Sequence, residues 1–125
     1  MQKTYGTKEV PELAQENCGV IYALELIGGK WRLPVLWKLS KQQSTRYNEL
    51  RRQLPGITNT MLTRVLQDLE QNGLVQRHAL DTIPPHVEYR LTESGKSIIP
   101  ALEIIGAWGR RKMAEVNPTH TMSGE

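Results

Sequence analysis

Residues Pro55 to Gly73 read PGITNTMLTRVLQDLEQNG. Pro55-Gly56 breaks the chain, Thr58 is a good helix N-cap, and Asn72-Gly73 is a helix stop. Between them Met61, Leu62, Val65, Leu66 and Leu69 recur at helical spacing. At about 100° per residue, Leu62, Val65, Leu66 and Leu69 point one way, while Thr60, Thr63, Arg64 and Gln67 gather near the opposite side. The expected helix rests on an aliphatic base and carries a polar outer face. Any amphipathic helix has such a face, so the neighbouring segments decide what this one is for.

Upstream, Tyr47, Leu50 and Leu54 stand at i, i+3 and i+7 and predict a helix of about two turns that ends at Pro55-Gly56. Ser44-Thr45-Arg46 before it is short and β-prone. Lys30 to Leu39 is apolar on most sides, through Trp31, Leu33, Val35, Leu36, Trp37 and Leu39, as a buried central helix requires. Pro34 is tolerated there because it falls in the first turn. Val20, Ile21, Leu24 and Ile27 predict a first helix, closed by Gly28-Gly29.

Downstream, Leu74 to Leu80 and Val87 to Leu91 read as two strands, the second alternating Val87, Tyr89, Leu91 against Glu88, Arg90. Asp81 to His86 is the proline-rich tip of that hairpin. Thr92 is expected to cap one long helix with Ile98, Ala101, Leu102, Ile105 and Trp108 along an apolar stripe and a kink at Pro100. Residues 1–17 lack periodicity and read as an arm, residues 18–116 as the domain with its C-terminal helix, and residues 117–125 as a polar tail.

The order helix, helix, short strand, helix, helix, hairpin, helix defines a winged helix-turn-helix, a mainly α fold with a small β-hairpin. The helix after Pro55-Gly56-Ile57 is then the recognition helix, and double-stranded DNA is the expected partner. Small hydroxyls at Thr60 and Thr63 permit close approach to base edges, and Arg64 and Gln67 reach guanine or adenine acceptors. Thr58 and Asn59 lie where helix-end amides meet a phosphate. Arg46, Arg77, His86 and Arg90 are the candidate backbone contacts of the wing and its surroundings.

Charge distribution agrees with that assignment. The net charge is only +3, but residues 30 to 64 hold eight basic residues against Glu49 alone, a net +7 that leaves −4 for the rest. Such polarisation suits a polyanion.

Several function classes are disfavoured. The single cysteine, Cys18, supplies neither a disulfide framework nor a thiolate zinc site, and His78, His86 and His120 lack metal-ligand spacing, so no metal or cofactor is expected. No nucleophile, base and orienter group together and no phosphate-cradling glycine loop appears, so the chain reads as a non-enzyme. No apolar run is long enough for a membrane helix and Met1 to Val20 has no signal-peptide pattern, which predicts a cytoplasmic protein with no membrane partner.

The motifs Cys18, Gly28-Gly29-Lys30-Trp31, Tyr47-Asn48-Glu49-Leu50, Pro55-Gly56-Ile57-Thr58, Pro84-Pro85, Val87-Glu88-Tyr89, Leu91-Thr92-Glu93 and Ala107-Trp108-Gly109 resemble those of the HxlR-type regulators. The resemblance runs from Cys18 to Gly109. It implies a homodimer related to MarR-type regulators, in which the N-terminal segment and the last helix pair across a dyad and two recognition helices reach adjacent major grooves. The chain departs from the family pattern at two positions: Gly19 stands where proline usually follows the cysteine, and His86 stands where the wing usually has arginine. Histidine changes charge within the physiological range, so its hold on a phosphate depends on pH as an arginine's does not.

Cys18 also matches the position at which some relatives respond to oxidants, quinones or aldehydes. It just precedes the first helix, whose N-terminus favours a thiolate, and a small buried interface residue without signalling chemistry is the plainer reading. A small-molecule effector between Trp31, Trp37 and Trp108 is a further expectation, against the commoner role of such tryptophans as core. Two other uses of the scaffold stay open on sequence alone: a winged helix that binds protein, separable by the salt dependence of DNA affinity, and a ligand carrier that never reads sequence.

Overall fold

The computed structural model describes residues 4–5, 8–9 and 18–117. Most of the expected arm and nearly all of the expected tail lie outside the described residues. Two short strands, β1 (Thr4–Tyr5) and β2 (Lys8–Glu9), pair antiparallel. The remaining elements are α1 (Gly19–Ile27), α2 (Arg32–Leu39), β3 (Thr45–Arg46), α3 (Tyr47–Arg52), α4 (Asn59–Gln71), β4 (Val75–Leu80), β5 (His86–Leu91), α5 (Glu93–Ser97) and α6 (Ile99–Val116). The fold is mainly helical, with a three-stranded antiparallel sheet ordered β3-β5-β4. The sequence-level hairpin is present, and the β-prone triplet before α3 adds the third strand.

The core forms where the periodicities converge. Val35, Leu36 and Leu39 of α2, Leu50 of α3, Leu62, Leu66 and Leu69 of α4, and Val75, Tyr89 and Leu91 of the sheet are all buried. Helix α2 is the hub, packing on α3, α4, α6 and β5. Pro34 lies in its first turn, where its missing N–H is one that no helical carbonyl would have bound.

Turn chemistry fixes how α3 and α4 meet. Gly56 has φ +92°, a left-handed conformation that glycine adopts without steric cost. Thr58 Oγ1 then accepts from the Met61 amide at 3.1 Å and starts α4. At the other end Gly73, φ +77°, turns the chain into the hairpin.

The segment after Thr92 differs from the single kinked helix expected. Thr92 does cap a helix, accepting from the Gly95 amide at 3.1 Å, but α5 ends at Ser97 and α6 begins at Ile99. A proline ring clashes with the carbonyl four residues back, at Lys96, and supplies no amide to it. A helix from Thr92 therefore stops short of Pro100, which instead lies in the first turn of α6.

The apolar stripe of α6 is only partly internal. Leu102 is buried, whereas Ile104 and Trp108 are 72% and 57% exposed. Helix α1 likewise buries none of its residues fully, and Val20 is 70% exposed.

Candidate nucleic-acid interface

Helix α4 has the two faces its sequence predicts. Leu62, Leu66 and Leu69 are buried against α2 and the sheet, and Thr58, Asn59, Thr60, Thr63, Arg64 and Gln67 are all exposed. The six polar candidates therefore form one accessible strip from the N-cap along the outer side of the helix.

Each edge of that strip is fixed by a neighbouring element. On one side the Tyr47 hydroxyl, from the first residue of α3, lies 3.1 Å from Thr63 Oγ1 and 3.2 Å from both the carbonyl oxygen and Oδ1 of Asn59. On the other, Arg32 bonds Asp68 Oδ2 at 2.7 Å and also donates to the Glu25 carbonyl oxygen at 3.0 Å. Arg64 lies on this second edge, beside Trp31 and Asp68. Tyr47 was legible in the sequence only as an apolar-periodic position; its polar contacts are with residues 12 and 16 positions away, a separation that no local pattern encodes.

The sheet sorts the wing candidates. Paired residues in an antiparallel ladder share a face, and successive residues alternate. Arg77 is opposite Tyr89, and Thr45 is opposite Tyr89 on its other side, so Arg77 lies on the face that meets the helices. Its charge acts on the Tyr89 hydroxyl, and the Tyr89 ring lies 6.5 Å from that of Tyr47. Burial raises the Tyr89 hydroxyl above the ordinary tyrosine range, with Arg77 pulling the other way.

Arg46, His86 and Arg90 belong to the other face. Arg46 is exposed opposite Glu88, and it shares a groove of about 720 Å³ with His86, Tyr47 and Arg52. Arg90 is half-buried in a separate groove with Lys96, Pro100 and Glu103. The structure therefore groups Arg46 with His86, sets Arg77 on the opposite face of the sheet, and does not bring Arg90 to either. At the hairpin tip, Ile83 is fully exposed and Thr82 Oγ1 donates to the Pro84 carbonyl oxygen at 2.7 Å.

The basic excess of residues 30 to 64 is less uniform in space than in sequence. Arg32 is paired with Asp68, and Arg52 with Glu49, whose carboxyl it holds below its ordinary value with help from Gln53. Lys30 and Lys41 lie over the rings of Trp31 and Trp37 at 5.1 and 3.8 Å. Arg46 and Arg64 are exposed with no acidic partner among the described residues.

A family model described as HxlR-like helix-turn-helix matches residues 26–117, from the end of α1 past α6. The chain belongs to the HxlR-like helix-turn-helix family. It is 47% identical over 93 residues to an HTH-type transcriptional regulator of Methanothermobacter thermautotrophicus, covering 74% of this chain and 70% of that one. A Bacillus subtilis regulator, YtcD, is 39% identical over 105 residues, covering 84% and 82%. Among solved structures, the redox regulator HypR in its oxidized form superposes with a TM-score of 0.71 at 39% identity, over 75% of this chain and 96% of that one. Reduced YodB from B. subtilis gives a TM-score of 0.64 at 30% identity, over 78% and 92%.

This HxlR-like chain is thus a helix-turn-helix transcriptional regulator with a winged fold, as its motifs predict. Cys18, the family position, is half-buried and is the N-cap residue of α1, where its side chain makes no capping bond. The three tryptophans expected around an effector do not share a cavity: Trp31 lies beside Arg64 and Asp68, Trp37 lines a groove between α2 and α6, and Trp108 lines neither. Trp31 is the N-cap residue of α2, Trp37 stands in the last turn of that helix, and Trp108 on α6 is largely exposed. Among the described residues no group of His, Cys, Asp and Glu could hold a metal ion, and no helix is long and apolar enough to cross a membrane.

Proposed function

We propose that this HxlR-like regulator binds a pseudo-palindromic operator as a homodimer, with α4 of each subunit in a major groove. One observation carries the reading: the exposed strip Thr58, Asn59, Thr60, Thr63, Arg64 and Gln67 stands on a helix whose opposite face is buried. Thr60, Thr63, Arg64 and Gln67 meet base edges, and Thr58 and Asn59 meet a phosphate at the helix start. Arg46, Arg77 and His86 hold the flanking backbone; Arg90, in its separate groove, contributes least.

The dimer reading draws on the exposed apolar residues of α1 and α6, Val20, Leu24, Ile104, Ile105 and Trp108. Apolar side chains gathered on two helices of one domain are what a partner subunit covers. The domain proper spans 18–116, with an arm before it and a polar tail after it. The protein acts in the cytoplasm, where DNA is, and catalyses no reaction.

Selection of bound duplexes from a random DNA pool tests the proposal. The expected result is one enriched motif with two half-sites about one helical turn apart and an affinity that falls steeply with salt. Enrichment of no motif, with weak and salt-insensitive binding, would contradict it and favour a winged helix that contacts protein.

Cys18 supports a second element, redox or electrophile response. It is half-buried at the N-cap position of α1, one of the helices with exposed apolar residues, and the chain is similar to a redox regulator. With one cysteine per chain, the reversible states are an intersubunit disulfide, a mixed disulfide or an adduct. An oxidant or electrophile should alter operator affinity of the wild type but not of Cys18→Ser; equal responses would end this idea.

A further inference from the structure

Thr63 lies on the outer face of α4, and its hydroxyl meets one from α3. The Tyr47 hydroxyl is 3.1 Å from Thr63 Oγ1 and 3.2 Å from each of the two Asn59 oxygens. Tyr47 itself is held, since its ring packs on the core and meets Tyr89 in a tilted contact. Both Asn59 atoms can only accept, so both contacts draw on the single phenolic proton. The arrangement that satisfies all three contacts at once then has Thr63 donate its proton to the Tyr47 oxygen. Its oxygen keeps lone pairs, but no proton, for an outside partner, whereas a free threonine hydroxyl can act as donor or acceptor.

We propose that Tyr47 is a specificity-determining residue: by accepting the Thr63 proton it makes Thr63 an acceptor-only reader, matched to the exocyclic amine of adenine or cytosine. In the major groove those amines are the donors, while guanine O6 and N7 and thymine O4 are acceptors that a proton-less oxygen repels. Tyr47 acts on the base through Thr63 and touches no base itself. The inference rests on the reading that the outer face of α4 meets base pairs.

The test is selection from a random duplex pool with the full-length wild type, Tyr47→Phe and Thr63→Val, alongside melting and salt titration. Thr63→Val marks the operator position that Thr63 faces. At that position the wild type should favour adenine or cytosine about fivefold, and Tyr47→Phe, which keeps the ring, should reduce this to about twofold or less. Its melting temperature and salt dependence should stay close to wild type, which separates loss of base choice from loss of fold or of a phosphate contact. A marked position that favours guanine or thymine in the wild type, or an adenine or cytosine preference that survives in Tyr47→Phe, would overturn the proposal. So would a Thr63→Val motif identical to the wild-type one, which leaves operator reading by α4 intact. A wild type that enriches no motif would remove the reading itself, and this inference with it.

Discussion

Arg32 and Asp68 join the start of α2 to the outer edge of α4 across 2.7 Å, with both side chains largely shielded from water. Arg32 also bonds the Glu25 carbonyl oxygen near the end of α1, so one guanidinium ties three helices together. Asp68→Ala should cost about 1 kcal/mol, between an exposed pair and a buried charged hydrogen bond. Arg32→Ala should cost about 2 kcal/mol, because it loses the carbonyl contact as well. Urea unfolding of both single variants and the double variant reads the two costs and their coupling. Equal costs would remove the three-helix role.

The two threonine caps should differ in the same measurement. Thr58→Ala loses one capping bond, worth about 1 kcal/mol. Thr92→Ala loses its cap and also the 2.6 Å bond that Thr92 Oγ1 donates to the Gly73 carbonyl oxygen at the foot of the hairpin. The second substitution should therefore destabilise by about 1 kcal/mol more than the first.

Gly95 is sterically required. A Cβ built on it would lie 2.2 Å from the Leu74 carbonyl oxygen, a backbone atom with no freedom to swing aside. Gly95→Ala should lower stability by about 1 to 3 kcal/mol, as overpacked cores do, although alanine is the better helix former. An unchanged melting temperature would mean that α5 can lift away from the hairpin without cost.

Ile104 and Trp108 stand one turn apart on α6, both largely exposed. If a second subunit covers them, Ile104→Asp or Trp108→Asp should convert the dimer to monomer in sedimentation equilibrium while leaving the circular dichroism of each subunit in place. A dimer that withstands both substitutions would move the interface elsewhere.

Much of this architecture was legible because local signals agreed with one another. In α4 the Thr58 cap, the aliphatic spacing from Leu62 to Leu69 and the Asn72-Gly73 stop all specify the same helix. Features that depend on register or on distant partners were not legible. The alternation in β5 separates Tyr89 from Arg90, but only the pairing of Arg77 with Tyr89 reveals that Arg77 and Arg90 lie on opposite faces. Tyr47 reads as core by spacing, and its role depends on a hydroxyl that meets Asn59 and Thr63 only after folding. The break before Pro100 follows from the same steric rule that admits Pro34 to the first turn of α2; the continuous apolar stripe of Ile98, Leu102 and Ile105 masked it.

The most direct measurement is the affinity of wild type and Arg64→Ala for the selected operator and for a scrambled duplex, each across a salt series. Wild type should prefer the operator, and Arg64→Ala should lose about 1 to 3 kcal/mol of that discrimination while still binding both duplexes in a salt-dependent way. Full operator preference in Arg64→Ala, and again in variants of Thr60, Thr63 and Gln67, would contradict a base-reading role for the outer face of α4.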